Sequence, residues 1–203
     1  MKTFLQKYLR PAIVITLLLT IVTGLIYPGI VTGLAQVIFP NQANGSLVKA
    51  SNGQIIGSEL IGQYWTSPQY FHGRPSATTN PNNSATPEPY AANNSGPSNS
   101  GPTNAAYIQT VQQRVAALKK ENPNAPAGPV PVDLVTASGS GLDPDISIAG
   151  TLYQAPRIAN ARGLSLAQVQ QLINDHVQGR FLWVFGEPYV SVLDLNLALD
   201  AMK

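Results

Sequence analysis

Between Pro11 and Phe39 the chain carries no charged residue, and this run constrains everything that can be built around it. Ala12 to Gly33 is dominated by Ile, Val, Leu and Thr, matching the ~20 apolar residues that cross a ~30 Å hydrocarbon core as one α-helix. Residues 11–39 are therefore predicted to form a single transmembrane helix. Lys2, Lys7 and Arg10 stand just before the run, and no Lys or Arg follows until Lys49. Such a bias holds the basic side in the cytoplasm, so residues 1–10 are predicted to be cytoplasmic and residues 40–203 to lie outside the inner membrane of a bacterium. The competing reading is a cleaved signal peptide, with Gly33 and Ala35 as a small-x-small pair. The apolar run is too long for a signal core of ~7–15 residues, and the chain has no cysteine to accept a lipid after processing.

Within the span, Thr16, Thr20 and Gly24 recur every fourth residue, and Gly29 and Gly33 form a GxxxG pair further along. Small residues at this spacing let helices approach closely, which makes the five a candidate interface with other membrane helices. Tyr27 and Pro28 are expected near the outer surface, where the proline can end or bend the helix. Without an ionisable group in the span, an ion path through this helix itself is disfavoured.

Composition narrows the remaining possibilities. A chain of 203 residues has room for one membrane segment and one modest domain. Of its twelve basic residues three fall in the first ten positions, so the net charge of +2 leaves the rest near neutrality and disfavours nucleic acid as a partner. The absence of cysteine removes disulfides, thiolate metal sites and thiol nucleophiles. His72 and His176 are the only histidines and lie far apart, so no metal site is predicted. The chain has neither a nucleophile elbow nor a histidine beside a plausible nucleophile motif, and no catalytic or cofactor-binding residue is assigned.

The rest of the chain reads as a mixed α+β domain. Phe39 to Leu47 is an exit turn, and Gln54 to Ile61 is a short strand or packed irregular segment. Aromatic residues then cluster: Tyr64, Trp65, Tyr70 and Phe71 beside His72 and Arg74 form either a minicore under a loop or an exported contact surface. Thr78 to Thr103, with its tandem NSGPS and NSGPT, is expected to be a flexible low-complexity surface loop. Ile108, Val111, Val115 and Leu118 follow helical spacing from an Asn104 cap to Asn122 and Pro123, and one face of that helix should be buried. Pro129 onward looks like a strand running into the Ser138–Gly141 turn. That turn could offer amides to a phosphate, but it lacks the Gly-Lys-Ser/Thr of a nucleotide loop. Asp143 and Asp145 are read as helix-start residues for a run from Ile146 that Pro156 would kink or stop. Ser165 and Gln168 form a capping box for a helix through Val177, with Gly179 as its C-cap and His176 at the boundary. The chain closes with Arg180–Phe185 and then Gly186–Asp200, a strand passing into a short helix that buries Leu195 and Leu199 or their neighbours.

Six ordered blocks carry a resemblance: RPA (Arg10 to Ala12), FPNQANGSL (Phe39 to Leu47), GSELIGQYWTSPQYFHGRPSA (Gly57 to Ala77), PVDLVTASGSGLDPDIS (Pro131 to Ser147), QAPRIANARGLS (Gln154 to Ser165) and LDLNLALD (Leu193 to Asp200). Together they resemble the C subunits of the Kdp-type potassium-transporting P-type ATPases along nearly the whole chain. Residues 78–103 depart from that pattern in length and complexity. The resemblance implies an accessory subunit of ATP-driven, high-affinity potassium uptake. Its partners would be a channel-like potassium-binding subunit, an ATP-hydrolysing subunit, a small hydrophobic peptide and the lipid bilayer. It also implies support of assembly and stability and a catalytic-chaperone effect on ATP affinity, with ATP and potassium handled by the partners. Two alternatives remain in view, an exported domain that modulates potassium entry and a transient, direct nucleotide-binding cofactor.

Overall fold

The computed structural model describes residues 4–50 and 52–202; Lys2, one of the three residues behind the charge bias, lies outside them. Two compact units are present, Met1–Leu47 and Val48–Lys203.

The first unit is built on one continuous helix, α1 (Gln6–Ile38). At 1.5 Å per residue it is about 50 Å long, well beyond the ~30 Å of a hydrocarbon core. No residue of it is buried within the protein, the expected state of a helix whose solvent is lipid. Pro28 does not end it. Two wider, π-type turns interrupt α1, at Leu5–Leu9 and Val22–Ile26, and each is followed two residues later by a proline, Pro11 and Pro28. A proline brings no N–H and its ring crowds the carbonyl four residues back, so widening the preceding turn lets the helix continue. The helix stops at Phe39, and α2 (Pro40–Ala43) adds one short helical turn closed by Asn44, whose side-chain amide donates to the Pro40 carbonyl at 2.6 Å.

The second unit begins with two small ribbons. Strands β1 (Leu47–Lys49) and β2 (Ile55–Ser58) pair first, and β3 (Thr79–Asn80) and β4 (Asn83–Pro87) form an antiparallel hairpin. The main sheet has the order β5 (Asp145–Ser147), β7 (Tyr189–Ser191), β6 (Val177–Gln178), antiparallel throughout. Ile146 pairs with Val190 and Val190 with Val177, so one apolar row crosses all three strands, as the period of two requires. Against this row pack α4 (Ile148–Arg162), α5 (Leu166–Asp175) and α6 (Val192–Ala201), through Ile158, Val169, Ile173, Leu195 and Leu199. The helix between the ribbons and the sheet is α3 (Ala105–Glu121). The domain is α+β.

The caps explain where the helices start. Asn104 accepts from the Tyr107 amide at 3.1 Å, Ser147 from Gly150 at 2.9 Å and Ser191 from Asp194 at 3.3 Å, while Ser165 and Gln168 make the full capping box. At the far end of α4, Gly163 takes φ +67°, a left-handed turn that glycine adopts without a Cβ clash.

Several expectations are corrected. Pro156 neither stops nor ends α4, because Ala155 and Ile158 on either side are fully buried and hold the helix in place. The α5 helix ends at Asp175 with His176 as C-cap; Val177 belongs to β6, and Gly179 lies beyond it. Asp145 begins a strand, and Asp143 accepts from the Asp145 amide at 3.1 Å to turn the chain around Pro144, so neither starts a helix. The stretch after Pro129 is not a strand, since two prolines remove ladder donors; it makes a 3-10 turn at Val132–Leu134 whose Asp133 carboxylate accepts from the Ser147 amide at 2.7 Å. No residue of α3 is fully buried, and its apolar stripe is only half covered, with Leu118 reaching the core. Arg180–Phe185, left without an assigned element by the sequence, forms a tight turn with a single bridge between Phe181 and Phe185.

Residues 78–103 are also better held than a flexible loop. Thr78 and Ala91 are buried, Thr78 Oγ1 donates to the Glu88 carbonyl at 2.6 Å and accepts from the Ala91 amide at 3.1 Å, and Asn94 Nδ2 donates to the Thr79 carbonyl at 2.7 Å. The short polar side chains that make the segment look featureless are the ones that tie its backbone down. Replacing Thr78 by the isosteric Val leaves a buried amide and carbonyl without that hydroxyl, and should cost about 1–3 kcal/mol, read as a lowered urea midpoint in detergent solution. A change within error would return the segment to a loose loop.

Candidate functional site

In α1 the small residues fall on two stripes. Thr16, Thr20 and Gly24 follow one another at four-residue steps, whereas Gly29 comes five residues after Gly24, more than a quarter turn further round, and opens a second stripe with Gly33. Among the described residues, a Cβ placed on Gly24, Gly29 or Gly33 would meet no atom within 4 Å beyond the adjoining backbone of α1.

The aromatic corner is built from a segment without regular secondary structure, and four side chains on α4 and α6 hold it. Asn196 accepts from the Phe71 amide at 2.8 Å and donates to the Phe71 carbonyl at 3.0 Å. Gln154 treats the next residue the same way, accepting from the His72 amide at 2.8 Å and donating to its carbonyl at 3.1 Å. Each amide thus stands in for one residue of a neighbouring strand. Arg157 donates to the carbonyls of Pro68 and Tyr70, and Arg162 to that of Gln69. Arg157 also meets Glu121 at 3.4 Å and Asn122 at 3.0 Å, tying α3 to the same point.

This grip sorts the predicted contact residues. Phe71 is 0% exposed and is a core residue with no surface to offer a partner. Tyr70 is half-buried: its hydroxyl donates to Asp200 at 3.0 Å, its ring lies 4.7 Å from that of Trp65, and the Arg162 guanidinium covers it at 4.8 Å. Arg74 is paired with Asp143 at 2.9 Å. Tyr64 alone of the six is well exposed, with its ring 6.4 Å from that of Tyr90. Trp65, His72 and Arg74 line an open cavity of about 360 Å³ together with Tyr90 and Glu121.

Both ring nitrogens of His72 face acceptors, Nε2 the Ser67 carbonyl at 3.1 Å and Nδ1 the Glu121 carboxylate at 3.3 Å. Burial and then the charge of Arg157 nevertheless lower its pKa, outweighing Glu121. A neutral ring is thus favoured near pH 7; it carries one N–H and so donates to one of these two acceptors, and its contact with Glu121 is not an ion pair. Burial also pushes the Tyr90 hydroxyl up; it donates to the Arg74 carbonyl at 2.7 Å. Asp145 borders a second cavity and is raised to about 6 by burial, with Asp143 and Asp194 adding to it.

Chemistry at these places is limited. Among the described residues no group of three or more His, Asp or Glu is arranged to hold a metal ion. In the Ser138–Gly141 turn, the Gly141 amide donates to Ser138 Oγ at 2.8 Å and the Leu142 amide to Ser140 Oγ at 3.1 Å, so the turn spends these amides on its own hydroxyls. Sequence reasoning missed Gln154, Asn196, Arg157 and Arg162. A signal existed for Asn196, a polar residue in register with the buried Leu193, Leu195 and Leu199 of an apolar helix.

An apolar helix long enough to span a bilayer once, followed by a small α+β domain whose polar groups serve its own architecture, is the layout of a single-pass membrane protein. The sequence matches the family described as KdpC: K+-transporting ATPase, c chain, over residues 9–201. Relatives named Potassium-transporting ATPase KdpC subunit share 57% identity in Rhodopseudomonas palustris (strain BisB18), across 97% of this chain and 99% of the relative, and 53% in Methylobacterium nodulans, across 97% and 98%. A third, from Sorangium cellulosum, is 53% identical over 97% of this chain and 98% of its own. The chain belongs to the KdpC family.

If the two amides hold the corner, Asn196→Leu, which keeps the volume, leaves the buried Phe71 amide and carbonyl unpaired. The loss should be about 2–5 kcal/mol, against less than about 0.5 kcal/mol for Gln170→Leu on the exposed face of α5, both from urea unfolding in detergent. Equal midpoints for the two would remove the amides from this role.

Proposed function

We propose that this chain is the non-catalytic accessory subunit of an ATP-driven potassium uptake complex. Its helix would pack among the channel-like and ATP-hydrolysing subunits and the small hydrophobic peptide, and its folded domain would lie on the extracytoplasmic side of the bacterial inner membrane. The observation that carries this reading is the full-length likeness to proteins named as subunits of a potassium-transporting ATPase. The stripe of Thr16, Thr20 and Gly24, exposed among the described residues, supports the helix as the joining element. Lys7 and Arg10 before the span, with no basic residue after it until Lys49, support the orientation.

Topology decides how such a subunit acts on ATP affinity. A domain outside the cell never meets cytoplasmic nucleotide, so a catalytic-chaperone effect has to travel through helix contacts as a coupling free energy. A direct nucleotide-binding role is further weakened by the self-engaged Ser138–Gly141 turn. Control of potassium entry by Arg74 finds little support either, because that charge is already paired with Asp143.

Assembly is tested by replacing Thr20 and Gly24 together with Leu, which should reduce co-purification with the larger subunits while the chain still inserts; unchanged recovery would reject the stripe. Orientation is tested separately. A cysteine at the exposed Ser98, in a chain with none of its own, should react with an impermeant maleimide in intact spheroplasts. Labelling only after lysis would place the domain with ATP and revive the nucleotide reading.

A further inference from the structure

The turn between β6 and β7 is the most apolar exposed feature of the second unit. Phe181, Leu182, Trp183, Val184 and Phe185 follow one another without a charged or polar side chain apart from the indole N–H, and Trp183 is 90% exposed. Their backbone is closed on itself: Phe181 and Phe185 exchange both N–H···O bonds at 2.9 Å, Trp183 donates to the Arg180 carbonyl at 3.1 Å and Val184 to that of Phe181 at 3.2 Å. Leu182 and Trp183 take φ +50° and +62°, the left-handed region that crowds the Cβ of any residue but glycine. Two bulky residues held at strained positions only to face solvent call for a use.

We propose that the tip Phe181–Phe185 is a second membrane contact, inserting into the interfacial layer of the same bilayer that α1 spans. Hydrocarbon accepts a backbone only when its hydrogen bonds are met internally; this turn closes four of its five amides, those of Phe181, Trp183, Val184 and Phe185, on its own carbonyls, and the tip carbonyls left over suit the headgroup layer, not the hydrocarbon centre. A protein-binding patch of this size would bring polar groups for about one hydrogen bond per 100–200 Å²; here there is one indole N–H, the group that suits the headgroup boundary. Arg180 and Glu187 pair at 2.7 Å at the base, where charge gives way to the apolar tip. The bilayer is also within reach: residues 39–47 join α1 to the domain, so its first residue is held within about 30 Å of the end of the helix even at full extension. The inference holds on whichever side of the membrane the domain lies.

The chain has two tryptophans, Trp65 and Trp183, which allows a direct test. Full-length protein is reconstituted into phosphatidylcholine vesicles, with and without lipid brominated near the headgroup end of the acyl chain. With Trp65→Phe, the remaining Trp183 emission should be blue-shifted and quenched about twofold by the brominated lipid. Since Trp65 packs on Tyr70 and its loss can disturb the fold, the converse variant Trp183→Phe is measured as well. There the bromolipid quenching of the otherwise unaltered protein should largely disappear. Trp183 emission that stays water-like and insensitive to bromolipid overturns the proposal. So does a tip that becomes shielded only when the larger subunits are added, since that marks a protein partner.

Discussion

The α+β domain depends on one constraint: a stretch of chain with no strand or helix of its own, Tyr70 to Gly73, dips into the interior at Phe71 and must have its backbone satisfied. Phe71 is fully buried there, and its position is worth holding only if the flanking amides and carbonyls are not left bare. Gln154 and Asn196, both 0% exposed, supply the missing pairing from two different helices. Because a planar amide offers one donor and one acceptor in the same plane, it can copy the hydrogen bonds of a strand residue while costing the helix nothing but an apolar contact. The relation of α4 to α6 follows from this shared load, with the sheet row Ile146, Val190 and Val177 filling the space between.

Arg157 and Arg162 extend the same logic at higher stakes. Burying a guanidinium is expensive unless its donors are used, and Arg157, 6% exposed, spends its donors on two carbonyls, Gln154, Asn122 and Glu121. Glu121 is the one carboxylate given against Arg157, and losing it would leave a largely buried charge without a counter-charge. The same proximity of Arg157 lowers the pKa of His72, whose burial acts in the same direction.

Local rules were legible in the sequence wherever a residue acts on its own neighbours. Caps at Asn104 and Ser165, the apolar span and the burial of Leu195 and Leu199 are all local statements, and all are found. What failed depends on partners distant in the chain. Composition made residues 78–103 look loose because Ser, Thr and Asn are read as solvent-facing, while Thr78 and Asn94 instead serve as backbone ligands. Pro156 was given its usual helix-breaking weight, about 3 kcal/mol, which burial on either side outweighs. The aromatic cluster was placed correctly as a corner, but which ring is core and which is surface turns on Asn196, more than a hundred residues away, and no spacing rule reaches that far.

Charge in the domain is therefore largely consumed by its own architecture. Each of the five arginines after Val48 is engaged, Arg74, Arg157, Arg162 and Arg180 by carboxylates and Arg114 by the Val135 carbonyl. Long-range steering of an ion or nucleotide needs a field of one sign, and internally paired charges of both signs provide little. The features left uncovered are apolar ones: the helix α1 with its small-residue stripes and the Phe181–Phe185 tip. On the proposals made above, such a subunit would gain its binding energy from close packing and from lipid. Any influence on a partner's ATP or potassium affinity must then arise from which helix arrangement it stabilises, and is bounded by the difference in its own affinity for the two arrangements.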